Sequence, residues 1–561
     1  MLSLTWSQNF SPVMDSLYGS AIVALIPILF FFWALAIKRM KGHTAGLLTL
    51  LVAIIIAVFL WKMPASKAVM SATQGGVYGI IPIGWIIITS VFLYKLTVKT
   101  GQFDIIRSSV LSITEDRRLQ ALLVAFSFGA FLEGAAGFGA PVAISAALLV
   151  GLGFNPLYAA GLCLIANTAP VAFGAIGIPI TAMEGPTGIP ALEISKMVGR
   201  QLPFISVFIP FYLVMIMVGW KRTLEVLPAI MVSGISFAAV QYLSSNFLGP
   251  ELPDVLSALV SLFALAIFLK FWKPKTIYRF KHENEAAATM EKQNESYTGA
   301  QIFKAWSPFL VLTMMISLWG IPKIKLALAG HYEGGNAILK LINSVGHSIT
   351  FTPEVPFLNN LILNSSGEPI SALYKIELLA AAGTAIMIAA LITKFIVRIS
   401  FKDWAKTFFE TLNELKFPLL TIISVVAFAY VLNAAGMTTT LGMTLAKTGS
   451  FFPFFSPFLG WLGVFITGSD TSANVLFATL QQVTANGIGM EPVLALAANS
   501  SGGVTGKMIS PQSIAVACAA VGLAGRESEL LRFTLKHSFF LLLLVAIITT
   551  LQNGILSWMI P

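Results

Sequence analysis

Ten polar side chains stand out in this chain of 561 residues because they sit in stretches that are otherwise apolar. Glu133 lies in Phe131-Leu-Glu-Gly-Ala-Ala-Gly-Phe-Gly-Ala-Pro141, and Asp470 in Gly468-Ser-Asp-Thr-Ser-Ala-Asn474. A carboxylate inside a membrane is costly unless it is paired, hydrated or protonated. Burial favours the neutral acid, so either residue suits a proton carrier; the alternative is a carboxylate capping a helix N-terminus. Asn167-Thr168 and Asn499-Ser500 each fall in a Gly- and Pro-rich interruption, and Ser469 and Thr471 flank Asp470. Broken helices expose backbone N–H groups, and with hydroxyl and amide side chains these suit a bound carboxylate anion. The competing reading is packing of helices through small and polar residues. Lys507 either balances an anion, pairs with Asp470 or Glu133, or snorkels to the interface. Gln512 is placed to orient a hydroxyl or carboxylate.

Other chemistry is not supported. Gly502 to Lys507 resembles a phosphate loop, but the spacing is one residue short and Met508 stands where Ser or Thr is needed. The five histidines include no HExxH, and Cys163 and Cys518 form no CxxC, so neither a metal site nor a redox motif is expected. They read as an interfacial imidazole (His537) and buried small hydrophobes. No cofactor is implied.

These residues need a scaffold, and composition says which. Hydrophobic residues make up 57% of the chain and charged ones 11%, well under the ~25% of a soluble domain. That excludes a cytosolic enzyme, a secreted disulfide scaffold and a disordered chain. The formal charge of +10 comes from cations clustered between apolar runs, such as Lys38, Arg39 and Lys41. This is the positive-inside pattern of a membrane protein rather than a nucleic-acid surface. The expected fold is an all-α polytopic membrane protein in a lipid bilayer. Its halves are 1–272 and 304–561, joined by a cytoplasmic linker at 273–303, with an external loop at 322–373. The run from Tyr18 to Ile37 ends in cations with no cleavage site, so it reads as a first transmembrane helix, not a signal peptide.

Several apolar runs are too short or too rich in Gly and Pro to span simply: 119–132 with 141–153, 156–180, 454–467 with 472–486, and 491–506 with 511–524. They recur at matching places. Asn167-Thr168 matches Asn499-Ser500, with Gly174 and Gly506 seven residues on and Pro179 and Pro511 twelve residues on. Pro82 and Pro418 each precede a tyrosine, Tyr94 and Tyr430, by twelve residues. Cations crowd the end of the Pro82 segment (Lys95, Lys99, Arg107, Arg117, Arg118) but the beginning of the Pro418 segment (Lys394, Arg398, Lys402, Lys406, Lys416). The two run in opposite directions. This pattern predicts an inverted-repeat secondary transporter with broken helices or re-entrant hairpins, its repeat cores at about 76–219 and 416–559. One cluster resists the simplest count: Arg526, Arg532 and Lys536 fall outside unless a re-entrant segment or an ion-paired turn with Glu527 and Glu529 intervenes.

The blocks Gly101-Gln-Phe-Asp-Ile-Ile-Arg107, Phe131–Pro141, Asn167-Thr-Ala-Pro-Val-Ala-Phe-Gly174, Gln241-Tyr-Leu-Ser-Ser-Asn-Phe247 and Thr467-Gly-Ser-Asp-Thr-Ser472 resemble the lactate permease family. So does Gly502-Gly-Val-Thr-Gly-Lys-Met-Ile-Ser-Pro-Gln-Ser513. The resemblance implies a bacterial inner-membrane permease for L-lactate, with D-lactate and glycolate as further substrates and proton import as the driving force. It also implies kinship with elevator-type anion transporters, which often have a dimeric scaffold, so a homodimer is a further expectation. Sodium coupling is the alternative drive; a lactate channel or sensor is a weaker alternative.

Overall fold

The computed structural model describes residues 5–137, 140–280, 297–364 and 367–561. Most of the expected linker (281–296) and two residues of the glycine-rich block, 138 and 139, lie outside the described residues. Among the described residues ten helices are long and apolar enough to cross a bilayer, and two bent pairs bring the number to twelve. Helices are what this composition dictates, because a lipid-facing backbone must satisfy its own hydrogen bonds.

Four of the interrupted segments build the centre. The first hairpin enters through Arg117–Ala121, a π turn at Leu122–Phe128 and Gly129–Ala135, then returns through Ala140–Gly151. Its arms are antiparallel: a methyl group at Gly129 would lie 3.3 Å from the Ser145 hydroxyl. The second hairpin is Phe452–Thr467 and Asp470–Ile488, turning at Gly468 with φ +70°, a conformation glycine adopts without strain. Each hairpin is followed by a broken helix. Pro156–Ala166 and Val171–Thr187 are bent by 64° at the break over residues 167–170, the second segment opening with a 3-10 turn at Val171–Phe173 before the helix Gly174–Thr187. Pro492–Lys507 and Pro511–Ala520 are separated at Met508–Ser510. Within Gly174–Thr187, Ala175 and Ile176 take φ of 45° and 60°. A β-branched residue there is strained, and such strain persists only where the surroundings impose it.

Two long helices flank this centre, Ala65–Lys99 (with a π turn around Pro82) and Phe401–Ala435 around Pro418. They lie antiparallel. Gly75 packs on Ala427, Gly79 on Ile423 and Gly84 on Leu419, and Lys95 pairs with Glu414.

The base of the first hairpin is fastened by ions. Arg118, fully buried, pairs with Asp116 at 2.8 Å and Glu225 at 2.7 Å, and donates to the carbonyls of Arg222 and Thr276. The Tyr278 amide donates to Asp116. The cations Lys221, Arg222, Lys273 and Lys275 cluster around these segments, which marks this end as cytoplasmic. The Arg118 hydrogen bond holds the Glu225 carboxyl below its ordinary range. The tie is therefore present at neutral pH and lost only as pH falls through that lowered value. Arg118→Ala leaves Asp116 buried without its partner and is expected to cost about 3–5 kcal/mol, read as a lowered unfolding midpoint in detergent. An unchanged midpoint would contradict this role.

At the opposite end Trp6–Ser7 pairs in parallel with Ile362–Leu363, and Thr350–Phe351 pairs antiparallel with Ile376–Glu377. The Gln8 amide donates to the carbonyls of Asn433 and Ala434. The second hairpin is rooted here: Thr479 donates to the Pro186 carbonyl and Gln482 to that of Thr187.

Candidate functional site

The tips of both hairpins and the breaks of both broken helices meet around a cavity of about 1130 Å³. Glu133, Gly174, Pro179, Ser469, Asp470 and Lys507 are among the residues of its wall. Arg39 from the turn after the first helix and His43 from the start of the next, Gly42–Phe59, also line it, as do Gly525 and Glu527. The 521–528 turn therefore shares the cytoplasmic end with the first cation cluster. The anomaly at Arg526 is removed because the second hairpin returns without crossing. Arg526 is also ion-paired with Glu529, at 2.6 Å.

Inside the cavity Lys507 Nζ lies 2.6 Å from Glu133 Oε1, and Asn167 Nδ2 donates to Glu133 Oε2 at 3.3 Å. Pairing with Glu133, one of the readings open for Lys507, is the contact it makes here. Both charges come from elements that end at the centre: Glu133 from the last turn of the first hairpin's entering arm, Lys507 from the last residue of Pro492–Lys507. A cation at a helix C-terminus is also favoured by the helix dipole.

Asp470 forms a second cluster. Its Oδ2 accepts from Ser500 Oγ at 2.9 Å and Asn474 Nδ2 at 3.1 Å, while Oδ1 is buried without a partner. Asn474 also donates to the Pro179 carbonyl, tying the second hairpin to the first broken helix. Behind it, Asn499 Nδ2 donates to Asn474 Oδ1, Gln481 Nε2 to Asn499 Oδ1, and Ser456 Oγ to Gln481 Oε1.

The ten residues singled out from sequence divide accordingly. Glu133, Asp470, Lys507, Ser469, Thr471 and Gln512 line the cavity. Ser469 also caps its helix, accepting from the Ser472 amide. Asn167 reaches the cavity through Glu133. Thr168 is buried and its hydroxyl has no partner. Asn499 and Ser500 are not in a break. They lie within the continuous helix Pro492–Lys507, in the network behind the cavity wall. Their glycine neighbours do not interrupt the helix. They let it approach the second hairpin, since methyl groups at Gly502 and Gly506 would overlap the carbonyls of Pro457 and Trp461. The interruption comes later, at Met508–Ser510, so the two matched asparagines occupy unlike places.

Sequence reading missed Asn474, Gln481 and Ser456. A signal existed for two of them: Asn474 is four residues beyond Asp470 and Gln481 seven beyond Asn474, which puts Asp470, Asn474 and Gln481 on one helix face; Ser456, on the other arm, carried none.

A second cavity, about 800 Å³, opens at the opposite end, with Gln74, Tyr78, Glu184, Glu251, Lys325 and Tyr430 among its lining. Ile178 lines both cavities. The strained segment around it is thus the partition between them. Tyr78 braces it, donating to the Thr181 carbonyl and accepting from the Gly185 amide.

Residues 20–556 match the family model described as L-lactate permease. The chain is 73% identical to the L-lactate permease of Bacillus subtilis, with all of both chains covered. It is 54% identical to the glycolate permease GlcA of Escherichia coli and 52% identical to the L-lactate permease of that organism, covering 99% of this chain and 100% of each relative. Among solved structures, the YdaH transporter of Alcanivorax borkumensis aligns with 80% of this chain and 87% of its own at 14% identity, with a TM-score of 0.28. The chain belongs to the L-lactate permease family, as a multi-pass protein of the bacterial inner membrane and a permease rather than an enzyme.

Proposed function

We propose that this protein is a symporter that imports L-lactate, and related 2-hydroxymonocarboxylates such as D-lactate and glycolate, together with a proton. The observation that carries the reading is the Glu133–Lys507 pair in a cavity open to one side. A substrate carboxylate entering the site competes with Glu133 for the Lys507 ammonium. Once displaced, Glu133 is a buried carboxylate without a counter-ion, a state relieved by taking up a proton. Anion and proton then bind together, and the pair moves no net charge. Ser469, Thr471 and Gln512 supply polar groups for the hydroxyl and carboxylate; Asn167 steers Glu133. Asp470, with its unpartnered oxygen, is the second carboxyl through which the proton can pass. The names of the relatives, L-lactate and glycolate permeases, support this substrate class.

The alternating access that such a symporter needs is supplied by an inverted repeat in this reading. The first hairpin is rooted at the Arg118 end and the second at the opposite end, and the Pro82 and Pro418 helices lie antiparallel. In the same reading an elevator movement of the hairpins and broken helices against the remaining helices carries the site past the partition at Ile178.

Purified protein in vesicles is expected to accumulate labelled L-lactate when the outside is acidified and sodium is absent. Uptake that requires sodium and ignores the pH gradient would replace proton coupling by sodium coupling. Glu133→Gln is expected to abolish gradient-driven accumulation. Unchanged pH dependence in that variant would move the proton site to Asp470.

A further inference from the structure

Asp254 is not used by the scheme above, and its surroundings are unusual. It lies in the first turn of Pro253–Phe271, is 1% exposed, and neither carboxyl oxygen has a hydrogen-bond partner. A buried carboxylate without donors is among the costliest groups to keep ionised, and intramembrane acids of this kind are rarely structural. It is pressed against the first hairpin: a methyl group at Gly134, the residue after Glu133, would lie 2.7 Å from Asp254 Cβ. The same turn abuts the partition, because the Pro250 carbonyl occupies the space a side chain at Gly177 would take.

Three carboxyl groups are thus arrayed across the partition. Glu251 lines the cavity at the external end, Glu133 lines the cytoplasmic cavity, and Asp254 lines neither. Asp254 is three residues beyond Glu251, which lies in the turn just before this helix, and on its other side it packs on the residue next to Glu133, the partner of Lys507. Glu251 shares the external cavity with Lys325 and Glu184. These are the charged groups that face the array: Lys325 from the helix Pro322–Leu328, Glu184 from the first broken helix, Glu133 from the first hairpin and Lys507 from its own helix.

We propose that Asp254 is a proton-relay residue connecting the external cavity, through Glu251, to Glu133, on a route separate from that of the substrate. The inference rests on the proton-symport reading. A neutral Asp254 gives its proton to a Glu133 carboxylate that has lost Lys507 to the substrate anion. The O–H bond at Asp254 breaks and one at Glu133 forms. Glu251 then reprotonates Asp254 and is itself reprotonated from external water, so one proton has moved inward and both donors are restored. Between the two cavities the proton passes through Asp254, which lines neither of them, so the partition at Ile178 need not open for it.

The test separates net proton-coupled movement from exchange. Asp254→Asn fixes the site in a neutral form. In vesicles it is expected to exchange external labelled L-lactate for internal unlabelled L-lactate within about twofold of wild type, while uptake driven by an acid exterior falls at least about tenfold. Asp254→Glu is expected to restore driven uptake in part, with a displaced pH profile. Glu251→Gln is expected to slow driven uptake and spare exchange. Driven uptake by Asp254→Asn equal to that of wild type would overturn the relay. So would loss of exchange and driven uptake together in both Asp254 variants, or an unaffected Glu251→Gln. If wild-type protein itself ignores the pH gradient, it is the symport reading that fails, and the wild-type arm reports this before any variant is compared.

Discussion

Lys507→Ala is expected to remove saturable L-lactate uptake, by about a hundredfold or more, and to destabilise the protein by about 3–5 kcal/mol. Both effects follow from one contact. Glu133 is 3% exposed, and its donors are Lys507 at 2.6 Å and Asn167 at 3.3 Å. Without the ammonium, Glu133 keeps one weak neutral hydrogen bond, from Asn167, and must either stay an unpaired buried carboxylate or take up a proton, and a substrate anion arriving there meets no cation. The two effects can be separated. In Glu133→Gln/Lys507→Gln no buried charge is stranded, so stability should recover towards that of wild type while uptake stays absent. Lys507→Arg keeps the charge but replaces a compact ammonium by a planar fork, so it should keep the fold and bind substrate with altered affinity. Unfolding midpoints in detergent and uptake in vesicles give the two readouts. Near-wild-type uptake by Lys507→Ala would remove this residue from the site, and failure of the double variant to recover stability would show that the pair matters for reasons other than charge compensation.

Much of this site was legible because charge is so scarce in the chain. With 11% charged residues, a carboxylate beside a glycine-rich break is conspicuous, and Glu133, Asp470 and Lys507 follow from that alone. The hairpin turns were legible for a related reason: Gly468 and the glycines after Glu133 permit conformations that an apolar run otherwise avoids. Two things were hidden. Asp254 follows Glu251-Leu-Pro in what reads as an ordinary external turn at the head of a helix. Nothing local says that the first hairpin will cover it, because burial of a helix end is a tertiary fact. The role of Asn499 and Ser500 was hidden by the double meaning of glycine. The stretch Gly502-Gly-Val-Thr-Gly506 weakens a helix by propensity, yet it is also what two helices need in order to touch. Sequence spacing favoured the first meaning, whereas packing against the second hairpin imposes the second.

That distinction sets the last expectation. Gly502→Ala and Gly460→Ala should each destabilise the protein by about 3 kcal/mol or more, at the upper end of overpacking costs. The added methyl at Gly502 would overlap the Pro457 carbonyl, and that at Gly460 the Asn499 carbonyl. Both obstacles are backbone, so neither can be relieved by rotating a side chain; the two helices must separate. Gly151→Ala is the control, since nothing lies within 4 Å of a methyl there, and it should be neutral to within about 1 kcal/mol. Unfolding midpoints in detergent distinguish the two meanings of the glycines. Were Asn499–Gly503 a mobile break in the helix, alanine at Gly502 would stiffen it, raising the midpoint and impairing uptake only. In a tight helix crossing the midpoint must fall, and uptake falls with it: the Ser500 hydroxyl reaches Asp470 only while this helix lies against the second hairpin, where Asn474 holds the same carboxylate oxygen. A Gly502→Ala protein as stable as wild type would overturn the packing account and return Asn499 and Ser500 to the substrate pathway.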